Sequence, residues 1–277
     1  LYANQQSKED IVEIKSIMED EKLNDDFPDC ESENYTLPEE FSSYIPVDDI
    51  DAHLPPATEA AAMTRLNEFV ETGGLDNYNG DKDQLQLEGT SLLSCYVTSG
   101  LISTRSILDV CFKRNNHKLL HDDIKQNNSI ETFIKEVAWR DFYKHVMCQW
   151  PYISMDVPFR FEMADIKWEN NMEYFEKWCY GETGYPIVDA IMSKLLNTGY
   201  INNRSRMIVA SFLSKNLLIN WQWGERWFRK HLIDGDLSSN VGGWGFCSST
   251  GIDAQPYFRI FNMFLQSERY DREGKFI

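Results

Sequence analysis

Metal-binding and disulfide signatures are missing from this chain. Its 277 residues hold six cysteines (Cys30, Cys95, Cys111, Cys148, Cys179 and Cys247), none of them in a CxxC pair. Histidine is scarce, at five residues. His117 and His121 stand four apart in HKLLH, but no carboxylate or cysteine pattern accompanies them, so the expected metal content is none. Scattered single cysteines fit a reducing compartment better than a disulfide scaffold. A long apolar run is lacking too. The longest, residues 207–219, is too short to span a bilayer and includes Ser211, Ser214, Lys215 and Asn216, so no membrane partner is expected. The chain starts with Leu and carries no signal-peptide pattern; it reads as a piece of a longer protein.

Positive charge is also in short supply, with 27 Lys and Arg against 44 Asp and Glu for a net charge of −17. Such a balance argues at first against a nucleic-acid partner. The distribution along the chain weakens that objection. Residues 1–57 hold three Lys, no Arg and sixteen acids, for −13. The remaining residues 58–277 carry 24 bases and 28 acids, for −4, so a basic face there stays possible.

Residues 1–57, acid-rich with Pro28, Pro38, Pro46, Pro55 and Pro56, read as a solvated linker. From residue 58 the pattern is helix after helix with short polar turns and no sustained period-two alternation, which predicts an all-α domain over 58–277. Thr58 and Glu59 mark the start of a first helix whose Ala61, Leu66 and Phe69 share a side. Asn128, with Glu131 three residues on, starts a second over about 130–149. There Ile130, Phe133, Ile134, Val137, Ala138, Phe142 and Val146 form a predicted core stripe.

A second stripe of the same helix holds Glu136, Trp139, Arg140 and Tyr143. An acid, an indole, a guanidinium and a phenol in line suggest a recognition surface. The alternative is a helix buried on both sides with an internal Glu136–Arg140 pair. Residues 200–231 are locally +5, with Arg204, Arg206, Lys215, Arg226, Arg229 and Lys230 against Glu225, and interleave Trp221, Trp223 and Trp227. That mixture suits phosphates and stacked bases, yet Trp223 and Trp227 at a spacing of four also suit plain helix packing. Residues 233–262 are rich in glycine and aromatics, with acids at Asp234 and Asp236 and no base before Arg259. They make either a wall around a flat organic ligand or a glycine-rich turn.

Taken together, GTSLLS (89–94), EVAWRDFYKH (136–145), TGYPIVDAIM (183–192), NTGYINNRSRM (197–207), LIDGDLSSNVGGWGF (232–246) and PYFRIFN (256–262) resemble the flavin-binding helical domain of the photolyase/cryptochrome family. The likeness is to its class I branch, which repairs cyclobutane pyrimidine dimers, and it covers residues 58–277. It implies a U-shaped FAD. Tyr78 and the run Thr90, Ser91, Leu92, Leu93, Ser94 would hold its pyrophosphate and ribityl parts. Phe133 and Arg140 join that cofactor set, Arg206 and Asp234 flank the ring, Asp236 lies near its polar edge, and Asn240 faces N5. In this family photolyases keep Asn at the last position, whereas plant cryptochromes have Asp and insect ones Cys.

The resemblance further implies that Glu136 hydrogen-bonds a flipped-out dimer while Trp139 stacks on it. Lys82, Arg140, Tyr143, Asn203, Arg204, Met207, Arg259 and Gln266 complete the damaged-DNA side, with Lys144 available to phosphates. Trp168, Trp221 and Trp244 match a three-tryptophan relay towards the flavin. The implied activity is light-driven repair, in which an electron from excited reduced FAD splits the dimer and returns. A photoreceptor that signals through partner binding is the alternative, and a flavin-free nucleic-acid module a third. The histidine pair of (6-4) photolyases is absent beside NRSRM. A folate or deazaflavin antenna would belong to a domain outside this sequence. The expected protein is a monomer of the nucleus, with the mitochondrion as a second location. Leu92 replaces a frequent Arg, Phe246 stands where Trp is common in the family, and Phe133 where some members have Trp.

Overall fold

The computed structural model describes residues 54–120 and 128–277. The acidic segment up to residue 53, Cys30 and His121 lie outside the described residues. Eleven α-helices follow one another among the described residues: α1 (Glu59–Glu71), α2 (Gly74–Asp81), α3 (Ser94–Thr98), α4 (Thr104–Arg114), α5 (Ser129–Gln149), α6 (Met172–Tyr180), α7 (Pro186–Thr198), α8 (Asn203–Ser211), α9 (Trp221–His231), α10 (Leu237–Ser248) and α11 (Met263–Tyr270). A π-helical turn, Phe212–Asn216, extends α8. No strand occurs among the described residues. No helix there is long and apolar enough to cross a membrane.

Short polar side chains set the helix starts by accepting from backbone N–H groups that the helix leaves unpaired. Thr58 caps α1 at Ala61 N, and Asn128 caps α5 at Ile130 N. Asn202, Asn220 and Asp236 do the same for α8, α9 and α10. Pro186 opens α7, and Gly199, with φ +64°, closes it.

Two apolar cores result. One gathers Leu66 and Phe69 of α1, Leu75 and Tyr78 of α2, Ile107 of α4 and Ile130, Phe133 and Ile134 of α5. The other gathers Trp178 of α6, Ile187, Ile191 and Leu195 of α7, Ile208 of α8, Phe228 of α9 and Trp244 of α10. The α5 helix packs on both α2 and α10, and so joins the two. Its core stripe is shorter than its spacing predicts. Ala138 and Phe142 are exposed, because beyond Val137 the helix leaves the first core, and Phe142 packs edge-on against Trp139 and Tyr143 instead.

Trp223 and Trp227 are settled as packing residues. Both lie against the second core, where Phe175 meets their rings at 5.2 and 6.5 Å. The local charge of 200–231 is largely answered from elsewhere in the chain. Asp156 pairs with Arg226 and Arg229, Asp83 with Arg204, and Asp234 with Arg206.

Candidate flavin and substrate cavity

A cavity of about 520 Å³ opens between the two cores. Three helices each turn one stripe towards it. From α5 come Phe133, Glu136, Val137, Arg140 and Tyr143, with Trp139 at the edge; from α8 come Asn203, Arg206, Met207 and Ala210; from α10 come Ser239, Asn240, Gly243 and Cys247. Each set recurs at three and four residues, so a regular helix aligns it without special geometry.

The 89–94 loop supplies another wall. Gly89 lets it approach the end of α2, since a Cβ there would sit 2.6 Å from the Asp81 carbonyl carbon. Arg65 Nε donates to Ser91 O at 2.9 Å, and Thr90 Oγ1 lies 3.0 Å from the Tyr200 hydroxyl. Leu92 adopts φ +55°, a left-handed conformation that costs a non-glycine residue roughly 1–2 kcal/mol. Thr90, Ser91, Leu92, Leu93 and Ser94 all line the cavity, and Ser94 Oγ is buried with no partner among the described residues.

Opposite, Arg206 Nη2 donates to both oxygens of the buried Asp234, at 2.9 and 2.7 Å. Asp236 caps α10 and takes an ion pair from Lys144 at 2.8 Å. Burial alone would raise the Asp236 pKa, but hydrogen bonds from Lys144, Ser238 and Ser239 outweigh it and hold the carboxyl well below the usual range. Lys144, whose side chain stays partly exposed, takes Asp236 as its partner. Asn240 Nδ2 donates to Glu225 Oε1 at 2.8 Å, which leaves its carbonyl oxygen as the end available to a ligand. Glu225 is fully buried and paired with Arg229 at 2.6 Å.

At the other end of the cavity Lys82 Nζ and Glu136 Oε1 form an ion pair at 2.5 Å. Glu136 thus takes Lys82, and not Arg140 one turn along, as its partner. Arg140 lines the cavity with Nε buried and unpartnered among the described residues, and Asp141 stands 3.7 Å from its Nη1. Trp139 is 46 % exposed and stacks on Tyr143. Tyr78 and Lys82 complete this side.

Trp244 reaches the cavity wall; Trp221 is buried beside a second, small cavity; Trp168 is half-buried against the second core. Three DNA-side residues are not brought to the cavity. Arg204 lies between Asp83 and the Tyr270 ring, Arg259 is exposed over Phe261, and Gln266 is half-buried on α11. Sequence reasoning missed Asp83, Tyr200, Glu225 and Asp253. The partners of Asp83, Tyr200 and Asp253 lie more than a hundred residues away in the chain, and only Glu225, an acid stranded between aromatics and four residues from Arg229, gave any local signal. Among the described residues no group of three or more His, Cys, Asp or Glu is placed to hold a metal.

The residues present fit a flavin dinucleotide. The volume suits a large planar ligand, the walls are aromatic and apolar, and a charged pair with an uncommitted amide oxygen stands at one face. The buried, unpartnered Ser94 hydroxyl in the cavity-lining 89–94 loop suits a phosphate oxygen. Residues 133–277 match the family described as the FAD binding domain of DNA photolyase. A deoxyribodipyrimidine photo-lyase of Saccharomyces cerevisiae, described as mitochondrial, is 58% identical over 279 residues, covering 100% of this chain and 48% of that protein. The Neurospora crassa deoxyribodipyrimidine photo-lyase is 48% identical over 222 residues, covering 80% of this chain and 35% of its own. Among solved structures, a class III photolyase from Agrobacterium tumefaciens superposes with a TM-score of 0.72 at 38% identity, covering 79% of this chain and 44% of that one. A Synechocystis cryptochrome does so at 0.69 and 34%, with the same coverage. The chain belongs to the photolyase/cryptochrome family, in the part that forms its FAD-binding helical domain. It spans about half or less of the length of these relatives.

Proposed function

We propose that this chain is the flavin-holding catalytic part of an enzyme that uses light to repair cyclobutane pyrimidine dimers in DNA. One observation carries the proposal. The residues suited to a flavin and those suited to a flipped-out base pair line the same cavity, the first around Arg206, Asp234 and Asn240, the second around Glu136, Trp139 and Met207. The names of the yeast and Neurospora relatives support the same activity.

In this reading Tyr78, Thr90, Ser91, Leu92, Leu93, Ser94, Phe133 and Arg140 hold the dinucleotide. Arg206 and Asp234 balance charge beside its ring, with Asp236 at the polar edge. Reduced FAD, when bound and excited, supplies the electron that opens the cyclobutane ring and takes it back. Glu136 hydrogen-bonds the dimer once Lys82 turns to the DNA backbone, and Trp139 gives the bases an apolar face in place of their lost stacking. Asn240 presents Oδ1 to the ring. Trp168, Trp221 and Trp244 carry electrons inward from the surface. Tyr143 and Asn203 contact DNA around the opening, and the exposed Arg259 meets its backbone farther out. The protein acts as a monomer, with residues 1–57 as a linker, in the nucleus and in the mitochondrion; the second location is supported by the name of the yeast relative.

The test is to illuminate the reduced, flavin-loaded full-length protein with an oligonucleotide carrying one thymine dimer and to measure restored thymines. No restoration leaves the photoreceptor reading. Absence of flavin absorption after reconstitution with FAD rules out both.

A further inference from the structure

We propose that Asp253, which holds neither flavin nor dimer in the proposed function, positions the aromatic wall of the substrate side by anchoring Tyr143, which in turn orients Trp139. The inference rests on the dimer-repair reading of the cavity and adds to it a residue that sets the preference for damaged bases.

Asp253, Tyr143 and Trp139 are joined by two successive contacts. Tyr143 donates its hydroxyl to Asp253 Oδ2 at 2.9 Å. Its ring stacks on Trp139 with centroids 6.0 Å apart and planes 30° from parallel. Phe142 closes the cluster edge-on, 5.3 Å from each ring. Trp139, nearly half exposed, has no other ring contact among the described residues, so its attitude depends on these two neighbours.

Tyr143 has freedom that something must remove. It borders the large cavity on one side and a small one of about 20 Å³ on the other. Between them Gly242 gives the ring a flat seat, for a Cβ there would stand 2.8 Å from Tyr143 Cγ. A flat seat allows sliding. Among the described residues the hydroxyl bond to Asp253 is the one directional contact of this side chain, and it comes from a residue 110 positions away.

Asp253 is itself costly to keep. Its Oδ1 is buried without a partner among the described residues, and a buried unmatched carboxylate oxygen is unfavourable. A site selected for stability alone would carry a neutral or fully paired side chain. Burial, with the Asp253 charge second, also pushes the Tyr143 hydroxyl well above the usual tyrosine range, so it remains a donor at any working pH.

The experiment uses the full-length flavin-loaded protein in the dark, with one duplex carrying a single thymine dimer and its undamaged twin as probes. The quantity read is the ratio of the two dissociation constants. Tyr143→Phe keeps the ring but loses the anchor, and Asp253→Ala loses the acceptor; each should lower the ratio roughly ten-fold, the loss falling on the damaged duplex. The double variant should be no worse than either single one, and Asp253→Asn, which keeps an acceptor oxygen, should restore most of the preference. A Tyr143→Phe protein that discriminates like the wild type overturns the proposal, whatever Asp253→Ala does. So do additive losses in the double variant, or equal losses on both duplexes, which a merely structural role would give. A wild-type protein that binds both duplexes equally overturns the dimer reading and the proposal with it, and no variant enters that comparison.

Discussion

Gly224 is the position at which one methyl group should reach from the helix core into the cavity. It is buried near the start of α9, against the indole of Trp244. A Cβ there would lie 2.6 Å from Trp244 Cζ2 and 2.6 Å from Leu213 Cδ2. Trp244 Cη2 would lie closer still, and ordinary carbon contacts need about 3.5–4.0 Å, so the indole must shift by more than about 1 Å. On the protein side it is blocked, with Phe228 at 5.1 Å and Trp178 at 6.0 Å. The open direction is the cavity that Trp244 lines. Alanine gains about 1 kcal/mol over glycine as a helix residue, whereas overpacking costs about 1–3 kcal/mol, and a rigid ring puts this case at the upper end. Gly224→Ala should therefore lose about 2 kcal/mol, which for a domain of this size is a Tm drop of about 4–8 °C. Thermal unfolding followed by circular dichroism measures it, with flavin absorbance per protein falling in parallel. Gly80→Ala is the control: exposed in α2 with nothing within 4 Å of the added atom, it should gain about 0.5–1 kcal/mol. A Gly224→Ala protein that melts at or above the wild-type temperature refutes the packing argument.

Gly243→Ala tests the opposite balance: no protein atom lies within 4 Å of its added methyl, but the residue lines the cavity, so α10 should be undamaged while flavin affinity, read by titration, falls several-fold. Asp236, whose folded pKa is depressed, contributes stability above its unfolded value of about 3.8 that is lost as pH falls from there towards the folded value. Asp236→Asn should accordingly flatten the acid side of the Tm–pH curve, and an unchanged acid side would count against the Lys144 and Ser238 bonds as its cause. Burial pushes the thiols of Cys111 to about 11 and of Cys179 and Cys247 to about 12, so at pH 8 a thiol reagent should label exposed Cys148 rapidly and those three only on unfolding.

The helices and their starts are legible in the sequence because both signals are local. Asn128, Thr58 and the three–four spacing of α5 sit within a few residues of what they specify. The same locality explains where the predicted core stripe runs too far. Spacing says which residues share a face of α5, and nothing about where its neighbours end, so Ala138 and Phe142 count as inward although the first core stops before them. The glycine pair before Trp244 is a finer case. Adjacent in sequence, the two do different work: Gly242 is fitted to Tyr143 and Gly243 alone of the pair lines the cavity.

Charge is where a linear reading goes furthest astray. The excess of +5 over 200–231 looks like a surface for phosphates, yet Arg226 and Arg229 meet Asp156, Arg204 meets Asp83 and Arg206 meets Asp234. Glu225, the lone acid of the segment, is the inverse case. Counted along the chain it is one charge against six; in the fold it is fully buried, held by Arg229, and grips the Asn240 amide. Removing one partner of such a pair strands a buried charge, at about 3–5 kcal/mol, whereas the same substitution on a solvated face changes little. Four of the six bases in this segment therefore act as counter-charges, to the buried Glu225 and Asp234 and to the half-buried Asp83 and Asp156. In the proposed function any attraction to DNA comes from cations at the opening, and Lys82 joins them when a bound base takes its partner Glu136.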